Sequence, residues 1–385
     1  MEQADPTADA APQARPIAAP GRSADAAGRS GAGLRRRDSA VAGAAASDSA
    51  ATGPAAALIL DIVDLDRHGQ GIGRSDGRVF AVPGALPGEQ VQVRPLPGRR
   101  GLGRAELLQT LKPSPDRRRP PCILADHCGG CSLQPLQAEA QQRWKQNHVQ
   151  QTLQRIGGLE HPVAPLLPSA AELGYRNRAI IPLERDGDGR LRAGFYRRGT
   201  HRIVNMNRCP VLDPRLEALI APLKRDLEAS DWPVDRHGSG GLRHLALRLG
   251  HHSGEQLITL IATHPDLPDL ELMARSWLAR WPQVVGVTLN LQPEPTNQLF
   301  GARTLRLAGR EVLLERFAGL ELEIASDTFF QVHTLQAERV VPLLLQAAGA
   351  PTGELVDAYC GIGTYSLPLA AKGWRVLALE VHAGS

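Results

Sequence analysis

The chain has 385 residues, 42% of them hydrophobic and 22% charged, with a formal net charge of +4. That length and apolar share suffice for two or three domains of ordinary size and exclude a wholly disordered or fibrous protein. The longest apolar runs, such as Ala55–Leu60, fall far short of the roughly 20 residues a membrane helix needs, and five cysteines without an apolar leader argue against a disulfide scaffold and for the cytoplasm.

Residues 1–57 contain no Phe, Tyr, Trp or Cys and are dominated by Ala, Gly, Ser, Pro, Arg and Asp. They cannot offset their ordering entropy by burial, so a disordered tail is expected. Six acids against six arginines argue against an organelle transit peptide, which is poor in acids. From Leu58 the chain turns to short β-prone runs at 58–63, 79–82, 91–93 and 105–111, separated by turn clusters at 68–71 and 83–88. This pattern predicts a small barrel over 58–112. Between Gln90 and Pro120 eight basic residues (Arg94, Arg99, Arg100, Arg104, Lys112, Arg117, Arg118, Arg119) face only Glu106 and Asp116, a density that suits a phosphate backbone better than a solvated loop.

Residues 134–157 carry Leu136, Ala140, Trp144, Val149, Leu153 and Ile156 at helical spacing and stop at Gly157-Gly158. The next segment is mixed α+β, with strands at 179–183, 242–249, 256–262 and 284–291. A second basic stretch (Arg176, Arg178, Arg185, Arg190, Arg192, Arg197, Arg198, Arg202) favours a large polyanion over a small acidic metabolite.

Cys122, Cys128 and Cys131 lie within ten residues, and Cys209 comes much later, before Pro210. Four thiolates suit an iron–sulfur cluster or a tetrahedral zinc, and uncoordinated buried thiols are the third reading. The asymmetry, three ligands in one loop and one far away, leans towards the cluster. Gly129-Gly130 would let the loop fold tightly round it.

Glu354–Thr364 is a buried strand running into a Gly-rich turn, 365–372 a helix, and 375–380 a second strand ending in an acid. This is the opening β-α-β of a doubly wound sheet, whose glycines admit a ligand to the backbone and whose acid, Glu380, holds ribose hydroxyls. A dinucleotide fingerprint would want a third glycine at Ser366. Its absence, with Asp357 before the turn, favours S-adenosylmethionine over a nicotinamide cofactor.

The combination resembles the S-adenosylmethionine-dependent RNA 5-methyluridine methyltransferases, in the iron–sulfur branch acting on 23S ribosomal RNA. The carrying residues are Val79–Glu89, similar to a TRAM barrel, the cysteine set, Tyr175-Arg176-Asn177-Arg178, Ser326–Val332 and Asp357–Thr364. The resemblance covers about 58–385. It implies an α/β protein with an N-terminal all-β, OB-like TRAM barrel (58–112), a central α+β domain with an iron–sulfur site (113–310), and the start of a Rossmann-like class I methyltransferase domain (311–385) on which helix 134–157 would pack. It places the cofactor on Gln331, Tyr359, Thr364 and Glu380, with Asp357, Gly361 and Gly363 forming the turn, and a 4Fe-4S cluster on Cys122, Cys128, Cys131 and Cys209. His333 departs from the asparagine the family often has there.

The implied reaction adds a cysteine thiolate to uracil C6, the enolate takes the methyl group, and a base removes the C5 proton. The target uridine must be unstacked, which suits looped or single-stranded RNA. In the family the nucleophile and base come later than Ser385, so no catalytic residue is assigned. A C-terminally truncated, inactive fragment is the expectation, since two parallel strands leave an edge and an apolar face uncovered. The expected partner is RNA, with no membrane association and a monomeric chain. The competing readings are a transfer RNA methyltransferase, a non-catalytic RNA-binding module and a radical enzyme; Cys209 as a fourth ligand argues against the last.

Overall fold

The computed structural model describes residues 56–97, 101–234 and 240–385; the expected disordered tail, apart from its last two residues, lies outside them, as do Arg99 and Arg100. β1 (Leu58–Leu65), β2 (Gly71–Ser75), β3 (Arg78–Val82), β4 (Gln90–Leu96) and β5 (Gly103–Lys112) close a barrel in the order β1-β2-β3-β5-β4. Neighbours are antiparallel except β3 and β5. Alternation sends Leu60, Ile62, Phe80, Val82, Val91, Val93 and Ala105 into one apolar interior. At Gly103 a Cβ would lie 2.8 Å from the Phe80 ring, so the glycine lets this ring fill the barrel.

One buried carboxylate ties the barrel to the segment after Lys112. Glu89 accepts from Arg117 Nε at 2.5 Å and Nη2 at 2.9 Å and from the Leu86 amide at 2.8 Å. Arg117 Nη2 also donates to the Gly84 carbonyl at 2.7 Å. Arg117 is therefore a structural clamp. Arg94 pairs with Glu106, and Arg118 with Glu172. Arg117 and Arg118 of the first basic stretch are thus engaged within the fold, while the Arg94–Glu106 pair sits at the exposed surface.

The expected helix is α1 (Ala138–Arg155). Its first turns pack on the barrel, where Leu136, Ala140 and Trp144 meet Leu65 and Leu86. Val149 and Ile156 stay exposed.

A six-stranded sheet forms the centre: β6 (Arg178–Arg185), β7 (Leu191–Ala193), β8 (Leu242–Leu249), β9 (Gln256–Ala262), β10 (Val284–Leu291) and β11 (Arg303–Gly309), in the order β11-β10-β9-β8-β6-β7. Only β9 and β10 are parallel, as their connection through helix α3 (Leu270–Arg280) requires. Helix α2 (Pro214–Ala229) starts at Asp213, whose side chain accepts from the Arg215 amide, with Pro214 in the first turn. Its Leu216, Leu219, Ile220, Leu223 and Leu227 recur at helical spacing and join α3 and one sheet face in the largest core. The opposite face carries polar groups, among them Arg248 and a hydroxyl pair between Thr259 and Thr288 at 2.8 Å.

The last segment holds the hairpin β12 (Val312–Phe317) and β13 (Leu320–Ala325), helix α4 (Thr334–Ala348), and a β-α-β unit of β14 (Glu354–Ala358), α5 (Ser366–Ala371) and β15 (Arg375–Leu379). β14 and β15 pair in parallel, Glu354 opposite Arg375 through Ala358 opposite Leu379. Leu313, Phe317, Ile324, Phe330 and Val341 share a core with Leu257 of β9, which joins this segment to the central sheet. Val356, Leu377 and Leu379 are about half exposed on the two-stranded sheet. Among the described residues no helix is long and apolar enough to cross a membrane.

Candidate functional site

Asp357, Tyr359, Gly361, Gly363, Thr364 and Glu380 lie together at the C-terminal ends of β14 and β15. The chain leaves β14 through Tyr359, a non-glycine residue at φ 70°, then turns at Gly361 (φ 57°) and Gly363 (φ 83°). Such backbone is easy for glycine and costly for tyrosine, and strain of this kind is tolerated where the surroundings hold it and a function uses it. A Cβ on Gly363 would lie 2.8 Å from the Leu367 side chain. Tyr359 is largely exposed, and Thr364 is buried at the start of α5.

Glu380, at the end of β15, closes this turn from the other side. Its carboxylate accepts from the amides of Gly361 at 2.8 Å, Val381 at 2.8 Å and His382 at 2.7 Å. The His382 and Gly361 amides hold its pKa below the ordinary carboxylate value. Asp357 accepts from the Ser366 hydroxyl. Ser366, where a dinucleotide fingerprint would have glycine, thus fixes the acid that precedes the turn.

The Ser326–Gln331 motif lies against the same turn. Phe330 is buried in the core that Ile362 and Tyr365 touch, and the Phe329 carbonyl is 3.8 Å from where a Cβ on Gly361 would be. The Asp327 carboxylate is 3.8 Å from His382 Nε2. The motif itself is held by the Tyr175–Arg178 motif. Asn177 donates from its side chain to the Gln331 carbonyl and to Thr334 Oγ1, both at 2.9 Å, and from its amide to the Val332 carbonyl at 3.0 Å. Arg178 and the fully buried Arg248 donate to the Ser326 and Thr328 carbonyls. Burial lowers the pKa of both guanidiniums. Arg248 is a supporting residue that sequence reasoning missed; an arginine between leucines in a strand that proves buried along its whole length was the available signal.

His333 caps α4, accepting from the Gln336 amide at Nδ1 (3.4 Å). Nε2 then carries the proton and donates to Ser169 Oγ at 2.7 Å, while the ring stacks on Tyr175 at 4.5 Å. Burial, with His251 nearby, lowers its pKa, which disfavours the charged ring. An asparagine could cap the same helix, so the departure from the family residue keeps the structural role.

The cysteines form the second candidate site. The loop over 122–131 is pinned by Cys122 N–H to Gln134 Oε1 (3.3 Å), by Gly129 N–H to the Tyr196 carbonyl (2.8 Å) and by a bridge between Cys128 and Arg197. Cys209 enters just before α2, its amide donating to Glu217 Oε1 at 2.8 Å. Burial raises the Cys131 thiol pKa, with Cys128 and Cys122 adding to it; burial likewise raises Cys209, with Cys131 and Cys122 contributing. The four thiols therefore share one neighbourhood. The Gly130 amide points at Cys128 Sγ at 3.5 Å. Among the described residues no three His, Cys, Asp or Glu side chains stand as a single-ion site. Cys360 lies apart in the glycine turn, its thiol near the Gly361 carbonyl.

Known proteins of similar sequence belong to the class these sites suggest. The chain is 51% identical over 342 residues to an uncharacterised RNA methyltransferase of Parasynechococcus marenigrum, covering 88% of this chain and 73% of that one. It is 46% identical over 330 residues to another from Synechocystis (85% and 71%), and 34% over 328 residues to one from Listeria monocytogenes (84% and 71%). No family model matches the chain. In structure it is similar to the Pyrococcus abyssi tRNA (uracil-54, C5)-methyltransferase in complex with S-adenosyl-L-homocysteine, with a TM-score of 0.63 and 24% identity over 83% of this chain and 72% of that one. The chain belongs to the RNA methyltransferase family.

Proposed function

We propose that the protein is an RNA uracil-5-methyltransferase using S-adenosylmethionine, acting on a uridine of 23S ribosomal RNA, with a 4Fe-4S cluster on Cys122, Cys128, Cys131 and Cys209. The observation that carries the reading is the convergence of the Ser326–Gln331 motif, the Gly361–Gly363 turn and Glu380 at one end of β14 and β15. S-adenosylmethionine supplies the transferable methyl group. The glycines at 361 and 363 admit a ligand to the backbone of the turn, and we assign Thr364 and Gln331 to its polar groups. Glu380 keeps acceptor capacity for ribose hydroxyls, and the exposed Tyr359 ring offers a flat face to an adenine.

The donor set of the second site fits an iron–sulfur cluster better than a lone ion. Four thiols from a loop and a distant segment share one neighbourhood, an amide points at one sulfur, and a four-iron cluster spaces its thiolates wider than a single metal does. The cysteine set is what favours ribosomal over transfer RNA, the substrate class named for the Pyrococcus protein. All five cysteines are then engaged in the cluster or the cofactor turn, and we assign no nucleophile among residues 1–385. The barrel over 58–112 is read as a TRAM, RNA-binding module, 113–310 as the cluster-bearing central domain and 311–385 as the cofactor-binding portion.

The test incubates the 385-residue chain and the native gene product with radiolabelled S-adenosylmethionine and unmodified 23S ribosomal RNA or transfer RNA. Expected are cofactor binding by both, and 5-methyluridine in ribosomal RNA from the native product but not from the 385-residue chain. Label in transfer RNA alone refutes the ribosomal assignment, and label in another base refutes uracil C5. Zinc without acid-labile sulfide in anaerobically purified protein refutes the cluster.

A further inference from the structure

Several arginines of the second basic stretch are spent on the fold. Arg178 holds the Ser326–Thr328 backbone, Arg185 donates to the Trp232 and Gly189 carbonyls, and Arg192 pairs with Glu184. Arg197, Arg198 and Arg202 differ. Among the described residues no carboxylate pairs with any of them, and Arg197 and Arg202 are exposed. Arg197 and Arg198 line a groove of about 460 Å³ beside the cysteine loop, together with Gly129, Gly130, Phe195 and Tyr196.

The groove combines two chemistries. Phe195 is seated on the central core, and the Tyr196 ring stacks on His201 at 5.7 Å, so aromatic surface is available within it. Guanidiniums free of carboxylates line the same space. Gly129 forms the opposite wall, where a Cβ would lie 3.0 Å from the Arg198 backbone, so the close approach of loop and turn requires glycine. Flat apolar rings beside cationic groups match an unstacked nucleotide chain, whose bases offer faces and whose phosphates offer charge. A duplex hides its base faces.

We propose that this groove holds a single-stranded segment of the RNA substrate, with phosphates on Arg197 and Arg198 and a base against the Tyr196 and His201 rings. The proposal rests on the reading of the chain as an RNA-modifying enzyme, but uses residues other than those of the glycine turn.

The experiment measures binding of a labelled oligouridine of about ten nucleotides, within the span of known single-strand sites, and of a duplex RNA of the same length, by anisotropy across a salt series. The proteins are the full chain, the double variant Arg197→Ala/Arg198→Ala, and His201→Ala. The double variant should lose about 1.4 from the slope of log affinity against log salt, roughly 0.7 for each phosphate contact on a single strand. His201→Ala should weaken oligouridine binding about fivefold or more, a typical loss for a stacked base, with no change in slope. Circular dichroism and S-adenosylmethionine affinity should match the parent in both. Unchanged oligouridine affinity and slope in the folded double variant overturns the proposal. Equal affinity of the parent for duplex overturns its single-strand part. Because cofactor binding and methyl incorporation are read separately, an intact groove without uridine methylation would fail only the function proposed above, and loss of the groove would leave that function standing.

Discussion

The Asn177 side chain donates to the backbone carbonyl of Gln331, 154 residues further along the chain, at 2.9 Å. Neither residue explains the other locally. Asn177 lies just before β6 of the central sheet and Gln331 just before α4, and the bond fixes the second motif to the first. With the Asn177 bond to Thr334 and the Arg178 and Arg248 bonds to Ser326 and Thr328, the stretch that faces the glycine turn is held almost wholly through its backbone.

Asn177→Ala removes both side-chain donors at a buried position, a loss of about 1–3 kcal/mol for polar groups left without partners. Urea denaturation should report that destabilisation. If the clamp also sets the cofactor site, S-adenosylmethionine affinity measured by calorimetry should fall with it. Undiminished affinity in the folded variant would restrict Asn177 to stability.

Glu89→Gln tests the link between barrel and central region. The carboxylate is buried, while Arg117 keeps some solvent contact. We expect a loss of about 2 kcal/mol, below the 3–5 kcal/mol for breaking a fully buried pair. Limited proteolysis should show earlier cutting between Lys112 and Leu136, and an unchanged cutting pattern would count against the clamp.

Gly363→Ala places a Cβ in a left-handed turn and against Leu367, at a cost of about 1–3 kcal/mol. The damage should be local. Cofactor affinity is expected to drop about tenfold or more, a change of 1.4 kcal/mol or above, while oligouridine binding stays at the parental level. Equal loss of both would point to global unfolding.

His333 makes stability depend on pH. Its folded pKa is lowered from an unfolded value near 6.5, so the unfolded chain takes up a proton that the native ring resists. Its contribution is steady at higher pH and turns unfavourable as pH falls below about 6.5, down to the lowered folded value. His333→Asn keeps a cap and removes the titration. Melting temperatures of parent and variant should diverge between about pH 7 and pH 5.5, with the parent falling faster; parallel curves would show that His333 does not titrate as described.

Strands in which Leu, Ile, Val and Ala recur were legible in the sequence: β8, β9 and β10 run 242–249, 256–262 and 284–291, as their composition predicts. β2 was not, because two of its five residues are glycine and the 68–71 cluster reads as a turn. α2 and α4 each carry an internal proline, Pro222 and Pro342, which hid them, although Asp213-Pro214 was a usable start signal for α2. The β-α-β geometry and the grouping of the glycine turn with Glu380 could be read from local pattern. The fate of the basic residues could not. Arg117 meets Glu89 across 28 positions, and Arg118 meets Glu172 across 54, distances over which a linear charge count carries no information.

The three amides on the Glu380 carboxylate have a thermodynamic consequence. A free glutamate on a strand end samples many rotamers, and a ligand that used it would have to select one. Here Gly361, Val381 and His382 have already selected it. A sugar hydroxyl donating to this carboxylate would meet a preorganised acceptor, and the side-chain entropy that binding usually costs is borne instead when the chain folds.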